Sequence, residues 1–210
     1  AYIEGDGGSL CTNTILQNVY LDFTYKWSEF SLNEHDLTID ENSALGANKV
    51  YMWSMGYGKK RVDDVTLIVK GKYLSKAIGY YASYHSHTST GDLNIIWDSP
   101  ESALGIEFGN MGEKRDITTP NIYEGNVNIT IKQADAFSME IVGAGAELKG
   151  TLNVIIDDDV KLPYNTKVNF NSFNVEGGKW YLTNVANDID FATFTADKGK
   201  FAIKDNATAY

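Results

Sequence analysis

One seven-residue phrase constrains this chain more than anything else in it. It reads GDLNIIW at Gly91–Trp97, GNVNITI at Gly125–Ile131 and GTLNVII at Gly150–Ile156, with glycine first, asparagine fourth and apolar residues third, fifth and seventh. Apolar residues at alternate positions put one face of a β-strand into a core, and a phrase that recurs makes each copy one unit of a stack. If the glycine is relaxed and Thr or Asp is admitted for Asn, further copies begin at Asp63 (DDVTLIV), Thr166 (TKVNFNS) and Asn187 (NDIDFAT), with weaker ones at Gln17 (QNVYLDF) and His35 (HDLTIDE). The starts at 17, 35, 63, 91, 125, 150, 166 and 187 give steps of 18, 28, 28, 34, 25, 16 and 21 residues. Loops of unequal length absorb such variation.

Second strand-like pieces lie between the phrases, at Val50–Met55, Ala77–Tyr84, Leu104–Phe108, Phe137–Val142, Lys179–Thr183 and Lys200–Lys204. Each repeat is therefore expected to hold two short strands and a polar turn. No window of useful length repeats apolar residues at three and four, so no helix is expected. Ala134–Leu148 comes nearest and is broken by Gly143 and Gly145.

Two all-β architectures accommodate strands this short and this dense. In a right-handed parallel β-solenoid each coil climbs one strand spacing, about 4.8 Å, and equivalent residues stack. Asn94, Asn128, Asn153 and Asn169 would then form an inward or corner ladder of amides, each bonding the next. In an antiparallel β-sandwich or jelly roll the strands need no mutual resemblance. The repetition favours the solenoid. Residues 61–210 form its repetitive body in this reading, and residues 1–60, which match the phrase less well, form an N-terminal cap or first irregular coils of the same continuous domain.

Composition narrows the partners. The formal net charge of −10 repels nucleic-acid phosphates and anionic lipid headgroups, which leaves neutral glycans, cations, host-surface or basic proteins and further copies of the chain. The apolar runs fall short of the roughly 20 residues that span a bilayer, so no membrane insertion of this segment is expected. The chain begins at Ala1 without an initiator Met, in keeping with removal of a signal peptide. Its lone Cys11 cannot form an internal disulfide and is expected to be a small buried hydrophobe.

Candidate chemistry is sparse. Trp53, Tyr80, Tyr81 and Tyr84 fall in an aromatic-rich stretch that runs into Asp92, and sugars stack on aromatic rings while carboxylates and amides bind their hydroxyls. The competing account is Tyr on an ordinary half-buried sheet. His85 and His87 would point the same way on a strand and share a zinc ion if Asp92, Asp98 or His35 supplied a third ligand. Asp157, Asp158 and Asp159 crowd carboxylates at a corner, where calcium would relieve their repulsion. A polar loop and a solvated acidic turn are the simpler accounts of these groups, so no cofactor is required. Asp188 with Asp190, or Asp157 with Asp159, have the i, i+2 spacing that puts two carboxylates on one face, as glycan cleavage requires, but that spacing is common. The basic GKKR at Gly58–Arg61 reads as a solvated turn or as a contact to acidic flanks of another copy. No nucleophile elbow, P-loop or dinucleotide fingerprint occurs, and the chain is expected not to be an enzyme.

The phrases GNVNITI and GTLNVII, followed by GGKWYLTNV at Gly177–Val185 and KGKFAIKDNATAY at Lys198–Tyr210, resemble the coils of bacterial autotransporter passenger domains, over residues 60 to 210. The resemblance implies a right-handed β-helix exported across the outer membrane by a C-terminal barrel, secreted or displayed on the cell surface. It implies work as an adhesin, a self-association surface or a protease carrier. In that reading the chain is a passenger fragment without its barrel. The family shares no catalytic motif, so no catalytic residue is carried over. Two rival expectations remain: a polysaccharide-cleaving β-helix enzyme using paired Asp, and a structural fimbrial or capsid-type sandwich subunit.

Overall fold

In the computed structural model the residues described are 1–24, 29–47, 49–52, 63–74, 78–79, 88–109, 121–142, 146–148, 152–156, 159–162, 169–170, 173–176, 179–183, 190–191, 194–196 and 200–204. Among them the chain is all-β, with no helix, and every strand pairing is parallel.

An eight-stranded sheet is the backbone of the arrangement. Its strands, in chain order and in spatial order, are Thr14–Leu16, Leu37–Ile39, Val65–Val69, Leu93–Ser99, Val127–Ala134, Leu152–Ile156, Phe173–Glu176 and Phe194–Ala196. Register runs through Thr14, Leu37, then Leu67, Ile95, Ile129, Val154, Val175 and Ala196, with steps of 23, 30, 28, 34, 25, 21 and 21 residues. The strand at Leu37–Ile39 joins that at Val65–Val69 in the same sheet, so pairing is continuous across residue 60.

Why these segments become strands is legible in their alternation. In Leu93–Ser99 burial alternates residue by residue, with Leu93, Ile95, Trp97 and Ser99 inside. Val65, Leu67 and Val69 sit one rung before them and Val127, Ile129 and Ile131 one rung after, all at most 2 % exposed. Over these three strands the inner face of the sheet thus contributes to the core three columns of branched aliphatic side chains stacked rung upon rung, interrupted by Trp97.

A six-stranded sheet comprises Gly8–Ser9, Glu29–Ser31, Lys49–Tyr51, Ile78–Gly79, Leu104–Gly109 and Phe137–Val142 in chain order. A four-stranded sheet holds Tyr2–Glu4, Tyr20–Phe23, Ala44–Ala47 and Lys72–Tyr73. Up to Tyr73 the chain visits these three sheets in turn, so each early repeat contributes three strands, not the two expected. The third strand escapes a pattern search because pieces such as ALGA and KY are too short or too uniform to alternate.

Two expected members of the repeat lie elsewhere. Asn169–Phe170 and Asp190–Phe191 pair with each other in a separate two-stranded sheet, and the eighth-sheet positions are taken instead by Phe173–Glu176 and Phe194–Ala196. The phrase at Gln17 likewise supplies Tyr20–Phe23 to the four-stranded sheet. Cys11 is exposed, not buried: it falls in the polar turn between Leu10 and the strand at Thr14.

Candidate binding surface

The outward face of the eight-stranded sheet is built by the residues between the core positions. Thr66, Asn94 and Asn128 share one register column, and Asn153, Asn174 and Thr195 continue it. The next outward column runs Thr38, Ile68, Ile96, Thr130, Ile155 and Glu176. Thr38, Thr66, Ile68, Asn94, Ile96, Asn128, Thr130 and Ile155 are all half-buried. The expected amide ladder is therefore present at its centre, where Asn128 Nδ2 donates to Asn94 Oδ1 at 2.9 Å. It stands on the outer face rather than inside or at a corner, and Asn174, not Asn169, is in register with Asn153.

A second ladder was missed by the sequence reading. Asp92 Oδ1 accepts the backbone N–H of Asn126 at 2.7 Å, Asp64 Oδ1 that of Asp92 at 2.8 Å, Asp36 Oδ1 that of Thr66 at 2.8 Å, and Asn13 Oδ1 that of Asp36 at 3.0 Å. Each acceptor sits just before a strand and satisfies an amide of the rung above. A backbone donor left without such a partner inside a fold costs about 1–3 kcal/mol. The signal was in plain view, because Asp or Asn fills the second position of HDLTIDE, DDVTLIV, GDLNIIW and GNVNITI.

Asp92 takes part with both oxygens, since Oδ2 accepts from Asn126 Nδ2 at 3.3 Å. The aromatic residues expected beside it, Trp53, Tyr80, Tyr81 and Tyr84, lie outside the described residues, as do His85, His87, Asp157, Asp158 and Asp188. Asp159 opens the strand Asp159–Leu162 in register with Lys179, and Asp190 pairs with Asn169. His35 and Asp98 are half-buried. Among the described residues no three His, Cys, Asp or Glu gather as a metal site, and no helix is long and apolar enough to cross a membrane.

At the outer face of the four-stranded sheet, Tyr2 and Tyr20 meet edge to face with centroids 5.1 Å apart. Tyr2 Oη donates to Asp22 Oδ2 at 2.7 Å, while the Thr24 hydroxyl and backbone N–H donate to Asp22 Oδ1 at 2.6 and 3.0 Å. Hydrogen bonds from Thr24 and Tyr2 hold the Asp22 carboxyl below its ordinary range. Tyr2 is pushed from 10.0 to about 12, first by its bond to that carboxylate and then by partial burial and the carboxylate's charge. Burial, then the Asp22 charge, also raises Tyr20.

The sign of the linkage follows. The raised Tyr2 contributes stability that is whole below pH 10.0 and is lost as pH climbs through about 12. The lowered Asp22 contributes stability that is present above its ordinary value and disappears as pH falls through its folded one. In an NMR titration that follows the Tyr2 ring, its ionisation is expected to return from about 12 toward 10 in Asp22→Asn. An unchanged titration curve would remove Asp22 as the cause.

Comparison with known proteins returns no match: no family model, no curated protein and no solved structure is significantly similar to the chain.

Proposed function

We propose that the chain is a right-handed parallel β-solenoid, a passenger-type domain working at the bacterial surface or beyond it as a contact module. In this reading it adheres polyvalently to glycans, host surfaces or copies of itself, and performs no catalysis. One observation carries the reading: six successive strands place Asn or Thr in the same register column, from Thr66 through Asn94, Asn128, Asn153 and Asn174 to Thr195. A rigid row of like groups at about 4.8 Å intervals lets individually weak polar contacts add up along its length. The acidic balance keeps such a surface off nucleic acids and anionic lipids.

The test is binding of the purified chain to a glycan array, to cell-surface extracts and to itself immobilised on beads, in calcium and in EDTA, with bound sugars analysed for cleavage. Selective binding without cleavage is the expected result. Cleavage products would move the chain to the polysaccharide-cleaving class, and absence of binding to all three would end the contact reading.

A further inference from the structure

At the centre of the eight-stranded sheet's outer face two register columns run without charge over five strands, Leu37–Ile39 to Leu152–Ile156. They hold Thr38, Thr66, Ile68, Asn94, Ile96, Asn128, Thr130, Asn153 and Ile155. None is charged, although 22 % of the residues in this chain are. Charge returns at both borders of the strip. Where the strands begin stand Asp64 and Asp92; where they end stand Lys70 and Lys132, both exposed, with Asp98 between them. Lys132 is the extra residue of a bulge, since Trp97 pairs with Ile131 but Asp98 with Gln133.

We infer that this strip is the docking face for a second copy of the chain, arranged about a two-fold axis that runs along the strand stack. It rests on the contact reading above and narrows the occupant of this face to a second copy. A two-fold in that direction reverses the strands of one copy against the other. The acidic border of each copy then lies over the Lys70–Lys132 border of its partner, twice by symmetry. The neutral centre lets Ile68, Ile96 and Ile155 interdigitate with the Thr and Asn column, as stacked side-chain ladders do between paired sheets.

The complementary borders select a second copy, since only a partner with the same two edges, reversed, matches both at once. Bodies of charge −10 repel each other overall, and the uncharged centre keeps that repulsion away from the contact. Five rungs of about 4.8 Å by six residue steps of about 3.3 Å give roughly 480 Å² per copy. The total, roughly 950 Å², is close to the ~1,000 Å² that a weak specific interface needs. Interfaces of this size belong to the weak, transient class, so the dimer is expected to be reversible, with a Kd on the order of 10 μM or weaker.

Sedimentation velocity over a roughly hundredfold concentration range around that value reads the equilibrium directly. The wild-type chain is expected to pass from monomer to dimer. Ile96→Lys and, independently, Thr130→Lys bring a charge to the centre of the strip and are expected to weaken dimerisation at least about tenfold. Leu74→Lys, at an exposed residue of the four-stranded-sheet side, is expected to leave it unchanged. Circular dichroism melts of each variant establish that it is folded. Lys132→Glu is expected to weaken the dimer more at low salt than at high salt. A wild-type chain that stays monomeric throughout, or a dimer indifferent to both strip variants, overturns the inference. If the chain is monomeric yet binds a neutral glycan that Ile96→Lys abolishes, the inference fails while the contact reading stands. If there is neither dimer nor surface binding, both fall.

Discussion

Gly125→Ala is expected to lower the stability of the chain by about 3 kcal/mol or more, and Gly91→Ala by a similar amount. Both residues open the repeated phrase, and the structure explains why that position is glycine. A Cβ on Gly125 would lie far inside contact distance of the Gly91 carbonyl oxygen and crowd the Thr90 carbonyl, and one on Gly91 would collide in the same way with the Asp63 carbonyl. Each corner therefore rests directly on the backbone of the corner beneath it. Because the obstruction is main chain, no rotamer change relieves it; rungs must separate and strand pairing on both sides of the corner must stretch. Gly8→Ala is the contrast. A Cβ there meets Phe23 and Phe30 at 3.8 Å, ordinary contact, and its effect is expected to stay within about 1 kcal/mol. Urea titration of the three variants by circular dichroism separates the cases. Equal midpoints for Gly8→Ala and Gly125→Ala would mean that the corners are not in close contact.

The same corner shows what a single sequence reveals and what it hides. The phrases from Asp63, Gly91, Gly125 and Gly150 all contribute strands to the eight-stranded sheet, because alternation over five residues is a local property and the glycine marks a fixed point of the coil. The pieces at Leu104–Phe108 and Phe137–Val142 became adjacent strands of the six-stranded sheet for the same reason. Alternation does not say which sheet a strand enters. TKVNFNS and NDIDFAT carry the pattern yet pair apart from the long sheet, while FNVE and FTA, with no glycine ahead of them, continue it. Assigning those strands requires register, a long-range property.

The surface was legible in part. The fourth-position asparagines drew notice because they repeat, and Asn94 and Asn128 do bond. The second-position Asp and Asn were overlooked because their task, accepting a backbone N–H one rung away, becomes visible only when rungs are stacked. Asp92 shows the consequence. Its neighbours in sequence suggest a sugar or metal ligand, and only the stacked rungs show that its carboxylate also accepts from Asn126. The neutrality of the outer strip was equally hidden, since its nine residues are scattered from position 38 to position 155.

Trp97→Ala is expected to be the costliest truncation in the core, about 3–5 kcal/mol. Trp97 is the largest fully buried side chain among the described residues and sits where neighbouring rungs carry Val69 and Ile131, so the hole left behind is larger than either neighbour can fill. Its indole Nε1–H donates to the Ser102 carbonyl at 3.1 Å, and its ring meets Tyr73 edge to face at 5.0 Å. The Ser102 hydroxyl accepts the Tyr73 backbone N–H at 3.0 Å and is hydrogen-bonded to Ser99, whose hydroxyl donates to the Gly71 carbonyl at 2.7 Å. One side chain thus ties the turn at Ser102 to the rung below through packing and through a buried polar network. Trp97→Phe keeps most of the ring but strips the Ser102 carbonyl of its indole donor, and a cost nearer 1–3 kcal/mol is expected. The form of the melt is as informative as its midpoint. In a stack, stability is a sum of rung and nearest-neighbour contributions, so a weakened junction in the middle can uncouple the two sides. In calorimetry the wild-type chain is expected to melt in one transition and Trp97→Ala in two, with Trp97→Phe still melting in one. A single transition for Trp97→Ala at the wild-type midpoint would show that the junction at Trp97 does not bind the repeats into one cooperative unit.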